Sequence, residues 1–132
     1  MTATRPARDI TVVYNPVKIS RQELQAHIER HVGAHDRVEW SETNVDDPGF
    51  AQADRALENG ADMVIAAGGD GTVRMVALAL SGSDTQMAIV PGGTGNLLAR
   101  NLGIPLTVGA AVRRAFEGEG RLIDLCRAEL TY

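Results

Sequence analysis

Four short segments of the chain have the residue pattern of β-strands. Each concentrates β-branched, aromatic or other apolar residues and is bounded by turn-forming residues. The segment at 62–67 is almost wholly apolar, which is expected when both faces of a strand are covered. The predicted strands span residues 10–14, 37–41, 62–67 and 87–90.

Segments with apolar residues at helical spacing separate these strands. Ser20 and Glu23 form a capping-box pattern at the start of the first helix. Asp47 is a capping residue directly before Pro48, which suits the first position of the second helix. The predicted helices span residues 20–33, 47–60, 72–80, 95–102 and 107–116, and a last strand follows at 121–130.

The alternation of strands and helices through short connections indicates βαβ units. It predicts an α/β fold in which a parallel sheet carries helices on both faces. In such sheets a ligand binds beyond the carboxyl ends of the strands. We expect residues 1–120 to form this domain. Residues 121–132 would be the truncated start of a second, β-rich domain, because the last predicted strand has no partner in the chain.

Composition and charge narrow the class of protein. A length of 132 residues fits one domain, and a formal net charge of −4 disfavours a nucleic-acid-binding protein, which is normally basic. Cys126 is the single cysteine, which excludes an internal disulfide and a multi-cysteine metal site. The sequence shows neither an apolar leader after residues 1–8 nor an apolar run of membrane-spanning length. We therefore expect a cytoplasmic protein.

Three histidines at regular spacing raise the question of a metal site. His27, His31 and His35 recur every fourth residue, but Ile28 occupies the position where the helical zinc motif requires glutamate. We therefore expect a solvated helix face rather than a metal site.

The first segment with candidate chemistry is AGGDGT at 67–72, between a buried strand and a helix. Glycines let backbone N–H groups approach a ligand, and the start of a helix favours phosphate. Asp70 would repel that phosphate unless it held a cation or accepted a proton, and both roles belong to phosphoryl transfer. The alternative is a structural turn in which Asp70 or Thr72 caps the helix.

The second segment is PGGTGN at 91–96, again between a strand and a helix. It does not fit the dinucleotide-binding fingerprint G-x-G-x-x-G. If Gly93 and Gly95 are taken as the first two glycines, the third position is Leu98. It does not fit the P-loop either, because the only lysine of the chain is the distant Lys18. Two glycine-rich segments at neighbouring strand ends, one with a carboxylate, are nevertheless more specific than either alone.

Together the two segments are similar to the diacylglycerol kinase catalytic-domain family, which includes bacterial lipid kinases. Asn15-Pro16 after the first strand and Thr43 after the second match further family positions. The resemblance spans residues 10–124 and covers the first of the family's two domains. It implies a Rossmann-like fold of the type shared by NAD kinases and diacylglycerol kinases. It also implies ATP as phosphate donor, Mg²⁺ as cofactor and a lipid hydroxyl, first of all that of diacylglycerol, as acceptor.

The resemblance also implies roles for individual residues. In related enzymes the aspartate of the first glycine-rich segment takes part in catalysis, and the second segment binds nucleotide phosphates. Asp70 would therefore be the catalytic residue and a metal ligand. The implied nucleotide-binding residues are Asn15, Pro16, Thr43, Gly68, Gly69, Gly71, Thr72, Gly92, Gly93, Thr94, Gly95 and Asn96.

The chain departs from the family pattern at two places. After asparagine-proline the family usually has a small, glycine-containing stretch, whereas this chain has VKIS at 17–20. Lys18 offers a positive charge in place of that stretch. Many members have asparagine and glutamate where this chain has Arg74 and Met75, so the role of that glutamate is not carried over.

The leading hypothesis is an ATP-dependent lipid kinase that meets a membrane surface transiently to reach its acceptor. An NAD kinase-like enzyme with a soluble substrate is one alternative, since NAD kinases share the glycine-glycine-aspartate-glycine loop. A non-catalytic nucleotide-binding fragment is another. The oligomeric state is left open, with a homo-oligomer among the alternatives.

Overall fold

The structure, a computed structural model, describes residues 7–92 and 96–117. All four strands predicted between residues 10 and 90 are present, with boundaries shifted by a few residues. They are β1 (Asp9–Tyr14), β2 (Arg37–Glu42), β3 (Met63–Gly68) and β4 (Gln86–Pro91). The helices of the described residues are α1 (Arg21–Glu29), α2 (Phe50–Glu58), α3 (Asp70–Leu80), α4 (Leu97–Asn101) and α5 (Val108–Glu117).

The strands form one parallel sheet in the order β2-β1-β3-β4. From β1 the chain moves outward to β2 and then returns to place β3 on the other side of β1. The connection after β1 therefore runs to one side of the sheet and the connection after β3 runs to the other. In an open α/β sheet, a crevice forms at the carboxyl ends of the two strands where the connections diverge, here β1 and β3. The predicted parallel α/β fold is confirmed.

Helices cover both faces of the sheet. Val64 and Ala66 of β3 lie in one apolar cluster with residues of α2 and α3, such as Ala53 and Val76. Met63, Ile65 and Ala67 lie in a second cluster, on the face covered by α1 and α5. All six residues of β3 are buried, as its apolar sequence predicts.

The first helix begins as predicted but ends early. The hydroxyl of Ser20 accepts a hydrogen bond from the N–H of Glu23 at 3.3 Å, which caps α1. The helix stops at Glu29 and not at Gly33. The N–H groups of Arg30 and His31 donate to the carbonyls of His27 and Ile28, respectively, each three residues earlier, and this tightened last turn ends the α-helical pattern.

The predicted start of the second helix at Asp47-Pro48 is wrong. The N–H of Asp47 donates to Oδ1 of Asn44 in the preceding loop, and the carbonyl of Asp47 accepts from Nε2 of Gln52 in α2. The helix begins at Phe50 after Gly49, which has a φ of 140°. A Cβ at Gly49 would lie 3.3 Å from the carbonyl oxygen of Thr72 in α3. Close packing between α2 and α3 therefore fixes where α2 begins.

The interpretation of the histidines as a solvated face is wrong for two of the three. His27 and His31 are half-buried between α1 and α5. The ring of His27 lies 3.0 Å from the position of a Cβ at Gly109, and the ring of His31 stacks on Phe116 with centroids 5.7 Å apart. His35 is exposed. The predicted strand at 121–130 and the second-domain segment at 121–132 lie outside the described residues.

Candidate active site

The four strand ends come together at one edge of the sheet. Beyond β1, the N–H of Asn15 donates to the carbonyl of Ala67 at 2.9 Å. Beyond β2, the N–H of Thr43 donates to the carbonyl of Tyr14 at 2.9 Å. Beyond β4, the N–H of Gly92 donates to the carbonyl of Gly68, also at 2.9 Å. The segments that follow the strands are thus held side by side, and each contains residues that the sequence assigns to the nucleotide site.

Two glycines of this edge are required by the packing of the protein itself. A Cβ at Gly68 would lie 2.8 Å from Oγ1 of Thr72 and 3.1 Å from Cβ of Asn15. A Cβ at Gly92 would lie 2.8 Å from the carbonyl oxygen of Lys18. The two distances of 2.8 Å are too short for a side chain, so these glycines allow the loops to contact each other closely.

Gly69 and Gly71 have no such requirement within the described part of the chain. A Cβ at Gly71 would have no neighbour within 4 Å, and one at Gly69 would meet only carbon atoms of Lys18 at 3.8–4.0 Å. Neither glycine has a positive φ. Their lack of side chains leaves the start of α3 open to an approaching group, which is the role that the sequence assigns to them.

The start of α3 carries backbone donors that the helix itself does not use. Gly69 is the N-cap residue of α3 and has no side chain with which to cap the helix. The N–H of Val73 makes a helical bond, to the carbonyl of Gly69 at 3.1 Å. The N–H groups of the first turn therefore form the positive end of a helix of eleven residues. The N-cap of this helix is therefore Gly69, and neither Asp70 nor Thr72 occupies the cap position expected in the structural alternative.

Asp70 instead joins the two glycine-rich segments. Its Oδ2 accepts a hydrogen bond from the N–H of Leu97, the first residue of α4, at 2.9 Å. The carboxylate is only partly exposed, at the start of α3. It therefore sits between the beginnings of two helices, where negative charge is stabilised by both.

The remaining residues of the predicted site occupy the same edge with different exposure. Thr43 is 4% exposed and Asn96 is 6% exposed. The side-chain oxygen of Asn15 accepts a hydrogen bond from the N–H of Val17 at 3.0 Å, which shapes the turn that contains the exposed Pro16. Thr72 is buried beneath the first glycine-rich segment. Gly93, Thr94 and Gly95 lie outside the described residues.

Sequence reasoning missed one residue that organises this edge, Gln52. Its side chain is 2% exposed, and Nε2 donates to the carbonyls of Glu42 at 3.0 Å and Asp47 at 2.8 Å. The two carbonyls lie at opposite ends of the loop that contains Thr43. The available signal was a polar residue next to the alanines on the inward face of α2.

The outer side of this edge is built around Tyr14. Its hydroxyl donates to Oε1 of Glu42 at 3.0 Å, and burial, followed by this hydrogen bond, raises the pKa of Tyr14 above its usual 10.0. The ring of Tyr14 meets that of Trp40 edge-to-face with centroids 5.8 Å apart. The guanidinium of Arg21 stands 4.8 Å from the centroid of Trp40. These contacts fix the start of α1 against the ends of β1 and β2.

The residues present suit a magnesium ion held together with phosphate. Among the described residues, no three His, Cys, Asp or Glu side chains converge on a point where they could hold a metal. Mg²⁺ commonly binds one or two carboxylates and completes its octahedron with phosphate oxygens and water. Asp70 at the start of α3 supplies one such carboxylate.

The fold and the paired glycine-rich segments define a parallel α/β domain with its candidate site at the switch point of the sheet. The sequence matches the family model of the diacylglycerol kinase catalytic domain over residues 9–128. The chain belongs to this family, as its motifs predict.

Similar proteins agree with this assignment. Over 98 residues the chain is 37% identical to "Probable lipid kinase YegS-like" of Klebsiella pneumoniae strain 342, covering 73% of this chain and 32% of that protein. It is 32% identical over 129 residues to "Probable lipid kinase YegS" of Salmonella arizonae, covering 90% of this chain and 41% of that protein. The chain thus spans about a third of the length of several curated relatives it matches, as with the 32% of the Klebsiella protein.

Solved structures share the fold. A diacylglycerol kinase from Bacillus anthracis strain Sterne superposes with a TM-score of 0.69 at 20% identity, covering 89% of this chain and 41% of that one. In the described part of the chain, every helix is too short or too polar to cross a bilayer.

Proposed function

We propose that this chain is the nucleotide-binding part of an ATP-dependent lipid kinase, which transfers the γ-phosphate of ATP to a lipid hydroxyl. The observation that carries the proposal is the position of Asp70. A carboxylate stands at the positive end of α3, beside two glycines at which a Cβ would make no close contact, and is hydrogen-bonded to the first residue of α4. Membership of the diacylglycerol kinase catalytic-domain family supports this choice of reaction.

The phosphates of ATP would bind where the glycine-rich segments meet. Backbone N–H groups at the start of α3 are oriented to donate to phosphate oxygens, and Gly69 and Gly71 leave them accessible. The second glycine-rich segment would contact the same phosphates from the β4 side, and its residues are all assigned by family resemblance: Gly92, Gly93, Thr94, Gly95 and Asn96. Asn15, Pro16 and Thr43 would line the rest of the nucleotide site at the ends of β1 and β2.

The carboxylate of Asp70 would repel phosphates unless it bound a cation or accepted a proton. Asp70 would hold Mg²⁺ together with phosphate oxygens, and the ion, when bound, would neutralise charge on the transferred group. The same carboxylate would orient the acceptor hydroxyl or take its proton. Positioning and charge neutralisation supply most of the catalysis in phosphoryl transfer, so one carboxylate and a backbone cradle are a sufficient chemical basis.

The proposed acceptor is diacylglycerol, which would give phosphatidic acid. The proposal rests on the family, and on relatives whose names describe them as lipid kinases. A kinase of this kind would work from the cytoplasm and contact a membrane surface transiently to reach its acceptor. Phosphorylation of NAD, a soluble acceptor, would distinguish an NAD kinase-like enzyme from the proposed lipid kinase.

Calorimetric titration of the 132-residue chain with ATP and Mg²⁺ tests the nucleotide site. We expect saturable binding that Asp70→Asn weakens about tenfold in the presence of Mg²⁺, because a charge-assisted contact is lost. Asp84→Asn is the matched control, since Asp84 is exposed in the loop before β4, at the opposite edge of the sheet. Absence of ATP binding in a folded sample would contradict the proposal.

The acceptor is tested separately by phosphate transfer from labelled ATP. Mixed micelles of diacylglycerol, micelles of sphingosine, and NAD in solution serve as parallel acceptors. We expect label in phosphatidic acid and none in NADP. Label in NADP would instead favour the soluble-substrate alternative, while ATP binding without transfer to any acceptor would favour a non-catalytic nucleotide-binding domain.

A further inference from the structure

The backbone of Lys18 is held between Asn15 and Gly92 of the second glycine-rich segment. It lies in the loop between β1 and α1 and is the single lysine of the chain. Its N–H donates to the carbonyl of Asn15 at 3.1 Å. Its own carbonyl oxygen packs so closely against Gly92 that a Cβ there would be 2.8 Å away. The position of this lysine is therefore set by contacts at the ends of β1 and β4.

The side chain of Lys18 runs over the first glycine-rich segment. Its Cγ, Cδ and Cε lie 3.8–4.0 Å from the position of a Cβ at Gly69, with Cε the nearest. Gly69 is the N-cap of α3, and the ammonium is one bond beyond Cε. The stem of Lys18 thus lies beside the start of the helix whose N–H groups are proposed to bind phosphate.

The charge of Lys18 has no ion-pair partner among the described residues of the protein. The ion pairs of the described residues involve other cations, such as Arg8 and Arg37. Arg21, which begins the neighbouring helix, is instead stacked on Trp40. Lys18 is exposed and keeps its ammonium available at the edge where Asp70 contributes negative charge.

We propose that Lys18 binds the phosphates of the nucleotide and makes the site selective for polyphosphate over the bare nucleoside. The inference rests on the proposed nucleotide-binding function. ATP brings several negative charges to an edge that already contains Asp70, so a cation at the same edge lowers the electrostatic cost of binding. P-loop proteins place a lysine within the glycine-rich loop itself for this purpose. Here the neighbouring loop supplies it and extends it over a glycine.

The competing explanation is that Lys18 is a packing residue whose stem covers Gly69. Lys18→Met separates the two explanations, because methionine keeps an unbranched stem of similar length and removes the charge. Lys18→Arg keeps the charge. Arg30→Met is the matched control, because Arg30 is an exposed cation at the other end of α1.

The test is calorimetric titration of the 132-residue chain and these three variants with Mg²⁺-ATP, Mg²⁺-ADP, inorganic tripolyphosphate and adenosine. We expect Lys18→Met to weaken ATP and tripolyphosphate binding about tenfold or more, the loss expected for one charge-assisted contact. Adenosine binding should change less than about twofold, because no phosphate is present. Lys18→Arg should stay within about threefold of the unaltered chain, since the charge remains. Arg30→Met should match the unaltered chain.

The outcomes separate the two proposals. If the unaltered chain binds ATP and Lys18→Met binds it equally well, the role of Lys18 is overturned while the nucleotide site stands. Equal losses for ATP and adenosine would also overturn it, because they indicate a packing role. If the unaltered and demonstrably folded chain binds neither ATP nor tripolyphosphate, the proposed function fails first and this inference with it. Circular dichroism and thermal melting of each variant exclude loss of fold as the cause.

Discussion

The carboxylate of Asp70 and the backbone N–H of Leu97 form a hydrogen bond of 2.9 Å that joins the start of α3 to the start of α4. One side chain therefore has two roles. It places negative charge at the proposed phosphate site, and it satisfies a backbone donor at the start of the helix that follows the second glycine-rich segment. Substitutions of Asp70 should be designed so that these roles are tested apart.

Asp70→Asn and Asp70→Ala are expected to differ in stability more than in activity. Asparagine keeps an oxygen that can accept from Leu97, whereas alanine removes the acceptor. Loss of a capping acceptor costs about 1 kcal/mol, so Asp70→Ala should be less stable than Asp70→Asn by roughly that amount in urea unfolding. Both variants should lose phosphate transfer by about a hundredfold or more, since both lack the charge.

Equal stability of the two variants would show that the hydrogen bond to Leu97 contributes little to the fold. Activity retained by Asp70→Asn would mean that the carboxylate acts only as a hydrogen-bonding group. That result would remove the argument for a metal at this position.

Gly68 and Gly71 stand three residues apart, and alanine should affect them in opposite ways. At Gly68 the new Cβ would meet Thr72 and Asn15 at 2.8–3.1 Å, so Gly68→Ala should cost about 1–3 kcal/mol of stability. At Gly71, in the first turn of α3, the new Cβ meets nothing within 4 Å. Because alanine is the better helix former, Gly71→Ala should stabilise the chain by up to about 1 kcal/mol.

The same Gly71→Ala variant should bind ATP less well, because its methyl group stands where phosphate is proposed to approach. Thermal melting and calorimetry on one sample measure both effects. A variant that is more stable and binds ATP unchanged would show that the phosphates do not pass close to residue 71.

The sequence predicted the sheet because the information lies in local patterns. The unbroken apolar run of β3 and the capping pattern at Ser20 and Glu23 depend only on neighbouring residues, and both appear in the structure as expected. Asp47-Pro48 carried an equally good local pattern for a helix start, but Gly49 is the N-cap and the helix begins at Phe50. There, contact with α3 across the fold decides the conformation.

The site shows the same division between local and non-local information. Glycine-rich segments at strand ends marked the edge correctly, but the sequence could not tell which glycines serve packing and which leave an open approach. That distinction depends on contacts of Gly68 with Asn15 and of Gly92 with Lys18, which are far apart in the chain. The bond between Asp70 and Leu97 spans 27 residues and is equally invisible to a local pattern.

Alkaline pH should destabilise the protein through Tyr14. Burial and the hydrogen bond to Glu42 raise the pKa of Tyr14 above 10.0, so the folded state holds the phenolic proton more tightly than the unfolded chain. The resulting stability is fully present below pH 10.0 and is lost as the pH rises through the higher pKa of the folded state. Urea unfolding from about pH 8 to about pH 11 measures this decline.

Tyr14→Phe is the matched variant for that experiment. It lacks the hydroxyl bonded to Glu42, so its stability should decline less over the same pH range. Equal slopes for the two proteins would assign the alkaline loss of stability to other groups.

Gln52 is expected to determine the conformation of the loop that contains Thr43. Its amide donates to the carbonyls of both Glu42 and Asp47, and its side chain is almost fully buried. Gln52→Leu keeps the volume roughly constant but leaves two carbonyls without this donor. The free energy of unfolding should therefore fall by about 2 kcal/mol or more.

The ATP affinity of Gln52→Leu shows whether the loop that contains Thr43 takes part in the nucleotide site or serves only the fold. If Thr43 lines the nucleotide site, ATP binding by Gln52→Leu should weaken severalfold under conditions where the variant is still fully folded. Gln22→Leu is the control, because it makes the same change of residue type at an exposed position of α1. A destabilised Gln52→Leu variant with unchanged ATP affinity would place Thr43 outside the nucleotide site, because the segment that carries it would have been released without consequence for the ligand.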